Sequence, residues 1–302
     1  MISIVKKLKR WSKSAGNIYV LLFKLEQYLK NGTSETLRSE AIINTEHIKP
    51  VSIHVPKHLK PLNDNQFGHY LAGLIDGDGH FNNQLQLVIV FNKLDISLAY
   101  YIKSKLGYGN VKKVNNKNAF ILVIASRNGI YNILNLINGK IRTINKLNQI
   151  ANNIINHKRF LKLESNIKFK LNENKSLDNY WLAGFSDADA SFQIKLINRN
   201  NKTEIRLNYQ VDQKNKDLLV EIKSLFGGNI GYRENQDTYY YGSTSFGSAK
   251  NVINYFDKYH LLSSKHLNYL KWRKAYLIIQ NKNHLNKEGL DKIIKLKGTM
   301  NR

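Results

Sequence analysis

The chain has 302 residues, no cysteine, and 47 Lys+Arg against 22 Asp+Glu, a formal net charge of +25. Absent cysteine excludes disulfides, zinc fingers, iron–sulfur ligation and cysteine nucleophiles. The charge selects a polyanion as partner, nucleic acid ahead of an acidic membrane surface, and the length with 42% hydrophobic content allows two compact domains.

In chain order, residues 1–60 read as a basic extension. It opens on MISIVKKLKRWSK, which is similar to an organellar targeting segment and lacks the cleavage pattern of a secretory signal. The most apolar stretch, IYVLLF at 18–23, is followed at once by Lys24, well short of the roughly 18 apolar residues of a membrane span, so no membrane partner is expected. A polar stretch then ends near Pro56 and Pro61. The abundance of Asn, Lys, Ile and Tyr, residues with A/T-rich codons, suggests an organellar gene.

From residue 61 to 154 the sequence predicts a first repeat. HYLAGLIDGDGHF at 69–81 is an apolar helix, capped by Asp64 or Asn65, that runs into two aspartates. A strand, a polar turn, an amphipathic helix and a Gly-Asn strand opening follow in VIVFNKLDISLAYYIKSKLGYGNV at 88–111. AFILVIAS at 119–126 and the helix IYNILNLI at 130–137 come next. Residues 155–178, without Gly or Pro, read as a linker.

The region 179–302 repeats this order. Leu71, Ala72, Gly73, Asp76, Asp78 and Phe81 recur as Leu182, Ala183, Gly184, Asp187, Asp189 and Phe192, at a constant offset of 111. The second motif helix starts after Ser176 or Asp178; YQVDQKNKDLLVEIKSLFGGNI, TYYYGSTS and AKNVINYF follow. Each half therefore reads α-β-β-α-β-β-α, with a further helix behind it.

Small residues four apart, Gly73 with Gly77 and Gly184 with Ala188, share a helix face. They let two helix axes come closer than the usual ~8–10 Å, so the motif helices are expected to pack together with their aspartates side by side. Two adjacent carboxylates at negative helix ends are costly without a cation. Mg2+ answers both problems, since it takes carboxylate and carbonyl oxygens and keeps waters. One such segment alone would suit a core helix ending in a tight turn; it is the repetition that points to a site. A calcium loop fails, because its sixth and twelfth positions from Asp76 are Phe81 and Leu87.

LAGLIDGDG at 71–79 and LAGFSDADA at 182–190 closely resemble the signature of the LAGLIDADG homing endonucleases, of the single-chain kind with two motifs. The resemblance covers about 65–300, and HLNKEGLDKIIKLKGTMN at 284–301 resembles the C-terminal helix of organellar intron-encoded members. It implies an α+β fold of two pseudo-twofold-related αββαββα repeats. Each repeat has an antiparallel saddle sheet, and the motif helices pack at the interface. It implies a monomer with an internal pseudo-dimer, acting in mitochondria, that makes a staggered break in a double-stranded DNA target site with Mg2+. The alternative is a maturase that binds group I intron RNA and assists splicing. An intein-borne nuclease is not expected, since no Cys or Ser starts the chain and no His-Asn ends it.

Carried over by position, Asp78 and Asp189 are metal ligands, with carbonyls from Gly77 and Ala188. Asp76 and Asp187 are structural caps, and Asn92 and Gln213 organise water. Lys265, in HLLSSKHLNYLKW, is the basic residue of the second half. The offset of 119 between Gly109-Asn110 and Gly228-Asn229 carries it to Lys146, with Lys140 the nearby alternative. Two departures stand out. Ser186 and Ala190 replace an apolar residue and a glycine, the second weakening the turn. The first hairpin is ten residues shorter, since Asp78 to Asn92 spans 14 residues and Asp189 to Gln213 spans 24. The longer second hairpin carries Arg199, Lys202 and Arg206, suited to guanine and phosphate, so the second half is expected to read more bases.

Overall fold

The computed structural model describes residues 50–158, 168–199 and 202–301, without the side chains of Arg199 and Lys202. Of the basic extension expected over residues 1–60, residues 1–49 lie outside the described residues.

The first repeat begins with helix α1 (Asp64–Asp78), whose cap is Asn63: its side chain accepts from the Gln66 N–H at 2.9 Å. Asp64, expected as the cap, instead lies in the first turn, where its charge suits the positive helix end. A short hairpin follows, β1 (Gly79–Asn82) and β2 (Gln86–Asn92), then α2 (Ile96–Leu106). Gly107 ends α2 at φ 73°, the left-handed conformation that favours glycine. Strands β3 (Asn110–Lys113) and β4 (Ala119–Ile124), α3 (Arg127–Ile137) and α4 (Ile144–Ile150) complete the repeat.

The second repeat has α5 (Trp181–Asp189), β5 (Ala190–Arg199), β6 (Lys202–Gln213) and α6 (Asp217–Phe226). Then come β7 (Asn229–Arg233), β8 (Thr238–Gly242), α7 (Phe246–Phe256), α8 (Lys265–Gln280) and α9 (Lys287–Gly298). Neither Ser176 nor Asp178 caps α5. Tyr180 stands at the cap without a side-chain bond, the preceding Asn179 accepts from the Trp181 N–H at 2.8 Å, and Asp178 takes Lys258 and Tyr259. Ala190 carries no turn penalty, since its φ of −93° and the −73° of Gly79 are both ordinary extended backbone. Ser186 is buried and bonds the Tyr209 hydroxyl at 2.7 Å.

Each repeat holds one antiparallel four-stranded sheet, ordered β1-β2-β4-β3 and β5-β6-β8-β7. Alternate residues Leu87, Ile89 and Phe91, like Leu207, Tyr209 and Val211, are buried toward the helices. Around Phe192 the second core is aromatic, with rings of Tyr209, Phe256, Tyr269 and Trp272 within 5.6 Å.

The repeats meet through α1 and α5, and the contact is reciprocal. A Cβ on Gly73 would overlap the Trp181 carbonyl oxygen, and one on Gly184 would overlap that of Tyr70. Tyr70 and Trp181 are themselves equivalent at the offset of 111, so the contact has the self-complementarity of a twofold interface. Their polar tips cross it as well. The Tyr70 hydroxyl donates to Asp187 at 2.7 Å, and the Trp181 indole N–H to Asp76 at 2.9 Å. Asp76 also accepts from the Arg142 N–H and from both the N–H and hydroxyl of Thr143, ahead of α4. Asp187 accepts from the Leu262 N–H and the Ser263 hydroxyl, ahead of α8. Each aspartate thus fastens the helix that follows its repeat and the aromatic ring of the other motif.

Residues 51–58, grouped with the extension on sequence, lie against the second repeat, and Lys60 lies over the Tyr101 ring of the first. Gln280 bonds both the N–H and carbonyl of Val51, and buried Arg273 donates to the carbonyls of Ser52 and His54 while paired with Asp257.

Gly73→Val should push the helices apart and cost about 3 kcal/mol or more, the upper range of overpacking, read as a lower urea midpoint. Asp76→Ala would leave the Trp181 and Thr143 donors unpaired, with an expected loss of about 3 kcal/mol in the same measurement.

Candidate active site at the motif helix ends

Where α1 and α5 end, Asp78 and Asp189 come together. A Cβ on Gly77 would overlap that of Ala188, so the absence of a side chain at Gly77 is what lets the two helix ends come together, with the Asp189 carboxylate beside them. Burial, then the charge of Asp189, pushes the Asp78 carboxyl up to about 6; the ammonium groups of Lys265 and Lys146 oppose this. Asp78 keeps a solvent-facing side, so its desolvation is partial. Asp189 is also raised by burial, and the Gln213 amide, donating from Nε2 to Oδ2 at 2.8 Å, pulls it back down.

Two lysines flank the pair. Lys265 opens α8, and its Nζ donates to the carbonyls of Ala188 at 2.6 Å and Ser186 at 3.2 Å. Lys146, on α4, donates to the Gly79 carbonyl. Burial lowers both ammonium pKa values, while Asp78 and Asp189 raise them. The pseudo-symmetry is plain: each lysine follows a segment fastened by the inner aspartate of its own motif.

The remaining expected residues divide. Lys140 is not at this site; its chain lies beside Gly68 and its charge acts on His69, away from the helix C-terminus. Asn92 is exposed, and its side chain caps the turn at 93–95 by accepting from the Leu94 N–H. The sheet registers explain the difference. Gly79 pairs with Ile89 and Ala190 with Val211, so the first hairpin is eleven residues shorter, not ten, and Phe91 rather than Asn92 corresponds to Gln213. The Ala188 carbonyl, expected to face a metal, receives Lys265. Arg199 and Lys202 pair at the tip of the β5–β6 ribbon. Arg206 is held by Glu204 two residues away at 2.6 Å.

Motif spacing alone did not indicate Arg142. Its guanidinium bonds Glu221 and the Ser176 carbonyl and lies over the Trp181 ring, tying the first repeat to the second. Tyr70 and Trp181 were legible, as equivalent aromatics each six residues before a buried aspartate.

Away from the helices the two sheets differ. The second presents Gln193, Asn208, Gln210, Asp212 and Arg233, joined by hydrogen bonds. On the first, Val88 and Val90 pair with Val123 and Ile121 on the same face.

The donor set suits a hard divalent cation. The two carboxylates are oxygen ligands, while the carbonyls of Ser186, Ala188 and Gly79 are taken by the lysines, and among the described residues no group of three or more His, Cys, Asp or Glu is positioned as a metal cage. Water and phosphate oxygens would complete the coordination, as magnesium prefers.

Comparisons with known proteins agree with this geometry. A family model described as LAGLIDADG endonuclease matches residues 182–276. The chain is 62% identical over 294 residues to the "uncharacterized cox1 intron-2 37.2 kDa protein" of Schizosaccharomyces pombe, covering 97% of this chain and 86% of that one. It is 34% identical over 272 residues to the "intron-encoded DNA endonuclease aI3" of Saccharomyces cerevisiae, covering 73% of this chain and 65% of the relative. Among solved structures, the meganuclease I-SmaMI bound to uncleaveable DNA matches with a TM-score of 0.62 and 25% identity, over 78% of this chain and 99% of that one. The paired motifs, the sheets built on them and these likenesses show that the chain belongs to the LAGLIDADG endonuclease family, in its single-chain, intron-encoded form.

Proposed function

We propose that the protein is a site-specific, Mg2+-dependent DNA endonuclease that promotes intron mobility in mitochondria. The observation that carries this is the convergence of Asp78 and Asp189 between Lys146 and Lys265. Two carboxylates side by side with raised pKa values would be a liability in a protein that only bound nucleic acid.

When bound at the two carboxylates, Mg2+ supplies Lewis acidity at the scissile phosphate and a water acidic enough to attack it. The chain's own groups do the rest. Asp78 and Asp189 hold the cation, and Gln213 fixes the orientation of Asp189. Lys146 and Lys265 face the negative charge that grows on the phosphate. The net charge of +25 draws the duplex on. The polar second sheet and the longer β5–β6 ribbon, with Arg199, Lys202 and Arg206, read more of the target than the first sheet, whose central strands put Val88, Val90, Ile121 and Val123 on that face. One chain carries both halves of the site, so the acting form is a monomer.

The test is a duplex carrying the joined exons of the host gene, incubated with Mg2+. A staggered double-strand cut is expected. Asp78→Asn and Asp189→Asn should each lower its rate by at least about 10²-fold, and Lys265→Met by about 10²-fold, while binding to the duplex persists. If binding and metal are in order and no cut appears, and group I intron RNA instead splices faster with the protein, the maturase function replaces this one.

The acid side of the pH profile follows from Asp78. With its carboxyl near 6, a proton competes with the cation at that oxygen as pH falls through 6. The Mg2+ concentration for half-maximal cleavage should therefore rise between pH 7.5 and 5, by roughly tenfold per unit below 6.

A further inference from the structure

The two halves of the site are unequal at one position. The strand registers align them residue by residue. Gly79 faces Ile89 where Ala190 faces Val211, and Ile89 faces Leu122 where Val211 faces Tyr241. Two residues further along, on the face toward the motif helices, Gln213 stands where the first half has Phe91.

The chemistry at the two positions differs in kind. Gln213 donates its amide N–H to Asp189 Oδ2 at 2.8 Å, which locks the carboxylate and leaves the amide oxygen as an acceptor for a water. Phe91 is 5% exposed and belongs to the core, and it offers neither donor nor acceptor. Its polar neighbour Asn92 spends its side-chain oxygen on the Leu94 N–H. Among the described residues no side chain donates a hydrogen bond to Asp78. Asp189 is thus held by a neighbouring amide, and Asp78 has no such hold among the described residues.

We propose that the two DNA strands are cut in a fixed order: the strand attacked in the Asp189–Gln213 half goes first, and a nicked duplex accumulates. The inference rests on the endonuclease reading. At each cut a water oxygen bonds to phosphorus, and the bond from phosphorus to the departing sugar oxygen breaks. That oxygen takes up a proton, and the water's proton passes to solvent. Gln213 is a positioning residue: it acts through Asp189 and by accepting from the attacking water. The half with Phe91 must reach the same arrangement without that guide.

The experiment uses the full chain and the joined-exon duplex, with a different fluorophore on each strand and products resolved on a denaturing gel. One strand should be cut about tenfold faster or more, the usual reach of a residue that orients a metal ligand. Gln213→Met, similar in length and without the amide, should slow that strand about tenfold and leave the other unchanged. A fold defect would slow both together, so the strand ratio separates the two. Calcium titration of the protein–DNA complex gives a readout without cutting: Gln213→Met should weaken one bound ion about tenfold. Equal strand rates in the wild type, a strand ratio unmoved by Gln213→Met, or an unmoved calcium affinity overturns the inference while leaving the nuclease in place. A wild-type protein that binds the duplex and cuts neither strand overturns the endonuclease reading, and this inference with it.

Discussion

The rest of the structure depends on the contact of Gly73 with the Trp181 carbonyl and of Gly184 with that of Tyr70. Backbone against backbone is the closest approach that two helices can make. It fixes their separation and their crossing, and so the distance between whatever stands at their ends. A carboxylate at either end would be an ordinary surface group on a helix alone. Brought together where Gly77 meets Ala188, Asp78 and Asp189 are near enough for the charge of one to raise the pKa of the other. The geometry of the site is therefore set about one helical turn below it, by residues without side chains to speak of.

That approach has an electrostatic consequence. Two helices converge at their negative ends, and both end in aspartate. The lysines answer the backbone as much as the carboxylates. Lys265 bonds the Ser186 and Ala188 carbonyls, among the last of α5, and Lys146 bonds the Gly79 carbonyl just beyond α1. Each is delivered by a segment that the inner aspartate of its motif fastens: Asp76 at Thr143, Asp187 at Ser263. The two aspartates of a motif thus divide the work. One is buried and saturated with donors, and it anchors the lysine's helix. The other is left short of donors, and it faces solvent and the partner carboxylate.

What could be read from the sequence followed this division. The repeat order, both sheets and the meeting of the motif helices were legible, because the spacing from Gly73 to Asp78 is repeated from Gly184 to Asp189. Lys146 was reachable because one offset carries from the β3/β7 openings to the helices behind them. Asn92 was misaligned for a physical reason. A sheet register is set by pairing, the hairpins differ by eleven residues, and a shift of one position turns a side chain to the other face. The caps were misread, by one or two residues at α1 and by two or four at α5, where several Asn, Asp and Ser compete for the same N–H groups. The hold on residues 51–58 was invisible because Arg273 binds backbone carbonyls there, which leave no trace in residue type.

The symmetry of the protein ends where the constraint ends. Along α1 and α5 a change on one helix meets its own counterpart on the other, so Gly73 and Gly184, Tyr70 and Trp181, and Asp76 and Asp187 keep paired roles. The sheets are built separately, and among the described residues β2 and β6 pair within different sheets. There the halves diverge: Val88 and Val90 on one sheet stand where Gln210 and Asp212 stand on the other, and Phe91 stands where Gln213 does. The first two exchanges lie on the face that a duplex would cover, and the third lies on the face toward the carboxylates. A strand alternates its faces, so drift in a single strand pair reaches both recognition and the active site. The unequal reading of the target proposed above and the unequal hold on the two carboxylates therefore trace to the same short element.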